Sequence, residues 1–145
     1  MPTDTAVLTW IEQTAISSAV RQSDWAVMAL EAVHLLGLSL LGGTAVILAL
    51  CAVRHTVPTL TTFVVELRPV ARIGFILMSL SGALITWSMP FKYYNNSAFQ
   101  WKMMLLLCAL IAAYRLVSKP SRILALVSLL LWLSVGFSGR LIGFL

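Results

Sequence analysis

The sequence predicts an all-α fold, a bundle of four transmembrane helices preceded by a short amphipathic helix at the membrane interface. Three observations predict it. First, 60% of the 145 residues are hydrophobic and only 10% are charged, with a mean hydropathy of +0.95. A soluble domain carries about a quarter charged residues, so too few charges are present to cover a water-facing surface, and lipid must be the solvent for most of the chain. Second, the apolar residues fall into four long runs separated by short polar segments. Third, the basic residues gather at the ends of those runs, where side chains meet lipid headgroups. The length suits a single membrane domain, residues 1–145.

The interfacial helix is expected over residues 5–22. Val7, Trp10, Ile11 and Thr14 recur at helical spacing, yet the segment is too polar to span and is expected to lie in the interface. Asp4, Glu12 and Asp24 stand in the first 24 residues with Arg21 as their only base. A cleaved leader needs a basic start and an apolar stretch, so the first membrane helix is expected to act as its own insertion signal.

Ser23 and Asp24 are good N-cap residues and open the first span, 25–53. Apart from Glu31 and His34 it is apolar, and its 29 residues make about 43 Å of helix. That exceeds the bilayer core, so it tilts or protrudes. Residues 54–69 read as a mixed loop, with a turn or two of interfacial helix after Pro58. The second span, 69–89, starts at Pro69, a residue tolerated in a first helical turn. Phe91-Lys92-Tyr93-Tyr94-Asn95-Asn96 reads as an aromatic and polar headgroup loop. Ser97 and Gln100 match a capping box that starts the third span, 98–117. Ser118-Lys119-Pro120 is a tight connection, so the fourth span, 121–144, runs antiparallel beside the third.

Arg54, Arg68 and Arg72 flank the first connection and Arg115, Lys119 and Arg122 the third, against Lys92 and Lys102 at the second. Basic residues favour the cytoplasmic side. Both termini are therefore expected outside, in a bacterial inner membrane. Ser39 and Gly43, Ala45 and Ala49, Ser79 and Ala83, and Gly139 and Gly143 have the spacing at which helix backbones approach closely. The net charge of +5 is spread among span ends, not along one stripe, and does not point to nucleic acid. Cys51 and Cys108 lie inside apolar runs and read as small hydrophobes.

Ionisable groups inside a membrane are costly and mark functional candidates. Glu31 and His34 share a face of the first span in its outer half. Lys102 lies about one turn into the third span and Arg140 about one turn from the outer end of the fourth. Trp25, Trp87 and Trp101 mark the same boundary. Glu31 and His34 are expected to face protein, within reach of Lys102 or Arg140. A plain reading is an interhelical clamp, with Lys102 and Arg140 snorkelling to the headgroups. A sharper reading is haem b on His34. His55 is too far along the same helix to complete bis-His ligation, about 31 Å away, which leaves Met28, Met89, Met103 or Met104 or an open position. The other sharp reading is a quinone site. Glu31, His34, Lys102 and Arg140 would supply its polar end, and Glu31 or His34 would take a proton from a quinol. Glu-x-x-His offers two metal ligands, but the neighbouring cations oppose a free metal ion.

Glu31-Ala32-Val33-His34-Leu35-Leu36-Gly37-Leu38, the Phe99–Lys102 start of the third span, and Gly139-Arg140-Leu141-Ile142-Gly143-Phe144 resemble an uncharacterised bacterial family of four-helix membrane proteins. So does the Ser-x-Trp entry into the first span. The resemblance covers nearly the whole chain. It departs at Ala49-Leu50-Cys51, where members carry an Asp-x-Arg-type pair. The family is distantly similar to copper-resistance D type and small cytochrome b membrane proteins. That implies the same four residues as the place to look and no set activity. The function expected is a small membrane subunit serving electron transfer, with quinone or haem b handled near the outer leaflet and other membrane subunits as partners. A non-catalytic accessory subunit is the alternative, and a small-solute or copper transporter the third.

Overall fold

The computed structural model describes residues 2–54, 57–94 and 96–141, with the side chains of 2–4, 57–59 and 139–141 outside that description. The described residues form seven helices and no strand: α1 (Pro2–Glu12), α2 (Ala15–Arg21), α3 (Asp24–Arg54), α4 (Val57–Ser88), α5 (Pro90–Tyr94), α6 (Ser97–Ser118) and α7 (Arg122–Leu141). Three stretches are long and apolar enough to cross a membrane: Asp24–Arg54, Leu60–Ser88 and Ser97–Ser118. The apolar stretch Arg122–Ser138 of α7 is shorter.

The N-terminal segment is two helices where the sequence predicts one over 5–22. Thr14 breaks it. Its backbone is extended (φ −63°, ψ 149°), and its hydroxyl accepts from the Ser17 N–H while donating to the Ile11 carbonyl at 2.8 Å. A side chain that satisfies both the end of one helix and the start of the next makes a break here cheaper than continuity. The pair is strapped to the end of α4. The Trp87 indole N–H donates to Thr14 Oγ1 at 3.1 Å, and the buried Ser17 hydroxyl donates to the Ser88 carbonyl at 3.1 Å. The Arg21 guanidinium ties α2 back to α1 through the Glu12 carboxylate and backbone carbonyl.

Ser23 caps α3, its hydroxyl accepting from the Ala26 N–H at 3.3 Å. The largest correction is α4. Of the loop expected over 54–69, residues 57–69 are helix: α4 starts at Val57 and runs 32 residues through Pro69. The reason lies in a stripe, Leu60, Val64, Leu67, Ala71, Gly74, Met78, Ser81, Ile85 and Ser88, spaced alternately four and three, every member buried or half-buried. That is the spacing of a helix packed along its length on another. The burial outweighs Pro69, which deprives the Val65 carbonyl of its donor. Residues 90–94 likewise form α5 where a loop is expected. The Ser97 capping box is replaced by Asn96, whose carboxamide oxygen accepts from the N–H groups of Ala98 (2.9 Å) and Phe99 (3.3 Å), while Gln100 turns to the Tyr94 carbonyl. Ser121 caps α7; the expected last residues of the fourth span, 142–144, lie outside the described residues.

α3 is the hub. It packs along α4 and, on another face, on α7; α7 packs on α6; α6 only grazes α3 and α4. The closest approach is between glycines. A Cβ on Gly37 would stand 2.5 Å from the Met78 backbone nitrogen and one on Gly74 2.7 Å from that of Leu41. The helices therefore touch backbone to backbone. Of the small-residue pairs expected on the first two spans, Ala45 and Ala49 are buried in the core, whereas Ser39, Ser79 and Ala83 are exposed and a Cβ on Gly43 would meet nothing within 4 Å. The core joins Leu41, Ala45, Met78, Ala109, Trp132 and Val135, continuing through Ala49, Leu116 and Ala125. Trp132 lies against Gly42. One end of the bundle, the cap end, is covered by α1, α2 and α5. At the other, the turn end, α3 gives way to α4 and α6 to α7.

Candidate functional site

His34 sits one α4 stripe above the glycine contact. Its Nδ1 lies 3.1 Å from the Met78 carbonyl and 3.2 Å from Ser81 Oγ. A carbonyl can only accept, so Nδ1 carries the proton and Nε2 is left as an acceptor. The Ser81 hydroxyl itself donates to the Leu77 carbonyl. The imidazole lies edge-on to α4: a Cβ on Gly82 would be 2.9 Å from its Cε1. A glycine at position 82 is what admits the ring.

Lys102 is half-buried on α6, close enough for its charge to act on the His34 ring. Glu31 corrects the expectation that it faces protein. It is exposed, since three residues turn it about 60° from His34 around α3, and α4 fills only the His34 side. Its charge acts on Tyr93 of α5. Neither Glu31 nor His34 forms a hydrogen bond or ion pair with Lys102. Arg140 stands on α7 eight residues above Trp132, as His34 stands eight below Gly42 in number, so the two backbones share a height. The side chain of Arg140 lies outside the described residues. The four expected residues are thus gathered at one level but divided, with His34 and Lys102 toward the interior and Glu31 toward α5.

Sequence reading missed an aromatic groove at the cap end. An open surface groove of about 440 Å³ is lined by Tyr93, Tyr94, Phe99 and Gln100. The Tyr93 and Phe99 rings are tilted at 54° with centroids 5.3 Å apart, and the Lys92 ammonium lies 6.0 Å from the Tyr93 ring centre. Burial, and secondarily the Glu31 charge, holds the Tyr93 hydroxyl above its ordinary ionisation range, so it remains a neutral donor. The run Phe91–Asn96 was rich enough in aromatics to suggest this, but only α5 folds the rings together.

For haem, His34 Nε2 is a fit ligand, since a ligating imidazole commonly gives its other N–H to a carbonyl. Of the second-ligand candidates, Met28, Met103 and Met104 are exposed, and only Met89, between α4 and α5, is half-buried. Among the described residues no group of three His, Cys, Asp or Glu side chains could hold a metal ion. Cys51 is buried and Cys108 exposed, both as free thiols. On α7, Ser128 Oγ and Trp132 Nε1, one turn apart and buried, have no hydrogen-bond partner. No known protein family, curated protein or solved structure matches the chain.

Proposed function

We propose that the chain is a four-span membrane subunit serving electron transfer, and that it handles a quinone near the outer leaflet. α7 makes the fourth crossing, beside α6, in a bacterial inner membrane with both termini outside. The observation that carries this reading is the groove lined by Tyr93, Tyr94, Phe99 and Gln100 beside Glu31. A quinone head is flat, apolar on its faces and an acceptor at two edges. Aromatic walls with a few polar groups are the kind of lining such a ligand needs. Tyr93 donates to a quinone oxygen, and Glu31 is the base that takes a proton as a quinol is oxidised. The second proton leaves to the outer water, and both electrons pass to a redox centre on a partner subunit.

The test is binding of a short-tailed quinone to the purified protein in vesicles, read by quenching of its tryptophans. Saturable binding is expected, weakened about tenfold, or 1.4 kcal/mol, by Phe99→Ala and by Tyr93→Ala. Absence of saturable binding overturns the quinone reading. A Soret band would move the assignment to haem. The alternative is a non-catalytic accessory subunit, favoured by one observation: the His34 N–H is spent on holding α3 to α4 through Met78 and Ser81. On that reading no saturable quinone binding is seen, and His34→Ala lowers thermal stability.

A further inference from the structure

Arg68 and Arg72 are the charges that the fold leaves in the least expected place. Each follows a member of the α4 stripe, Leu67 and Ala71, so each is turned about 100° from the α3 contact. Both are exposed, and neither has a hydrogen bond or ion pair among the described residues. Their height follows from the glycine contact. Gly74 lies against Gly37 and Leu41, with Trp132 of α7 on Gly42. Arg72 is two residues from Gly74, about 3 Å along the axis, and so stands at the mid-height of α3 and α7. From Val57 at the turn end it is about 22 Å up, and Arg68 about 16 Å. With the bilayer core of about 30 Å centred on the roughly 48 Å of α4, Arg72 lies about 15 Å from the headgroups on either side, beyond the reach of a snorkelling side chain.

The chain has no acid to give them. It contains five: Asp4, Glu12, Asp24 and Glu31, all at or toward the cap end, and Glu66. Glu66 is two residues before Arg68, about 200° around α4, and so on the opposite flank. The face that bears the arginines continues upward through Ser79 and Ala83, both exposed. Seven residues from Arg72 to Ser79 bring the helix nearly back to the same direction, and Ser79-x-x-x-Ala83 has the spacing of a close helix contact.

We infer that this face of α4 is the docking face for a transmembrane helix of another subunit, one that sets a carboxylate at mid-membrane against Arg72 and lies close on Ser79 and Ala83. An exposed guanidinium at that depth is costly in lipid, and a carboxylate set against it offsets part of that cost. A second copy of this chain is the wrong occupant. A two-fold axis along the membrane normal would face Arg72 with Arg72, and Glu66 points elsewhere. The inference rests on the four-span membrane reading, not on the quinone.

The experiment places the purified full chain, dye-labelled, in neutral phosphatidylcholine vesicles with a designed Leu/Ala helix of about 20 residues carrying one central Glu, one central Gln, or one Glu near its end. Energy transfer reads pairing. The central-Glu helix is expected to pair about tenfold more tightly than the central-Gln helix. Arg72→Gln removes the difference, Arg72→Lys keeps part of it, and Arg122→Gln leaves it unchanged. Equal pairing of the Glu and Gln helices overturns the inference, as does a Glu preference that survives Arg72→Gln. Loss of pairing on adding phosphatidylglycerol would assign the face to an anionic headgroup. Pairing between labelled copies without any peptide, lost in Arg72→Gln, would assign it to a second copy. A chain that carbonate strips from the vesicles fails the membrane reading itself.

Discussion

At the scale of single residues, Tyr93 reports on the site. Its hydroxyl is held above the ordinary tyrosine range first by burial and then by the Glu31 carboxylate. The fold therefore favours the neutral form. That contribution to stability is fully present below the ordinary value near 10 and is lost only as pH rises through the higher folded value. An ultraviolet titration of tyrosinate should show one tyrosine ionising late, absent in Tyr93→Phe. Glu31→Gln should move that step to lower pH without restoring it fully, because burial remains. No movement would separate Glu31 from Tyr93 and remove the proposed base from the groove. Glu31 and His34 were legible in the sequence as unusual charges. Their division between two neighbours was not, because a 60° difference around a helix matters only once α4 is known to lie on one side.

At the scale of elements, the contact of α3 with α4 depends on two hydrogen atoms standing where methyl groups would. Gly74→Ala or Gly37→Ala puts a Cβ inside 3 Å of backbone on the opposing helix, and backbone cannot rotate away. Each should lower the midpoint of thermal unfolding in micelles, at about 1–3 kcal/mol of lost stability. Gly43→Ala and Gly136→Ala, where a Cβ meets nothing within 4 Å, should be neutral or stabilising by up to about 1 kcal/mol, since alanine is the better helix former. Equal losses at all four would show that the glycine contact is not special. Pro69→Ala should raise the midpoint, because it restores a donor to the Val65 carbonyl, at up to about 3 kcal/mol. A fall instead would mean that Pro69 itself helps seat the stripe on α3.

At the scale of the molecule, the distribution of charge along the bundle is altered by α4. Arg68 and Arg72 were counted with the first connection; they stand on a helix, well above its start. The turn end keeps Arg54, Lys119 and Arg122, with Arg115 one turn in, against Arg21, Lys92, Lys102 and Arg140 toward the cap end. Each end then carries four bases, so the orientation proposed from the connections is decided by experiment. A reporter active only in the periplasm, fused after Leu145, should be active. A reporter active only in the cytoplasm at that position would invert the molecule and place the aromatic groove inside.

Composition and the runs of apolar residues determined that this chain is helical, with helices long and apolar enough to cross a membrane, because too few charges exist to face water. They also located α3 within a residue at each end, since a long helix apolar all round has clear limits. The tertiary structure decided what local chemistry hid. Pro58, Glu66, Arg68 and Pro69 look like a loop until a partner helix rewards the stripe beneath them. Thr14 looks like part of a helix until Trp87 and Ser88 hold the break. Small residues mark many sites where helices are able to touch, but only the relative placement of α3 and α4 selected Gly37 and Gly74. That placement is a long-range fact, set by how complete faces fit, and spacing within one helix does not contain it.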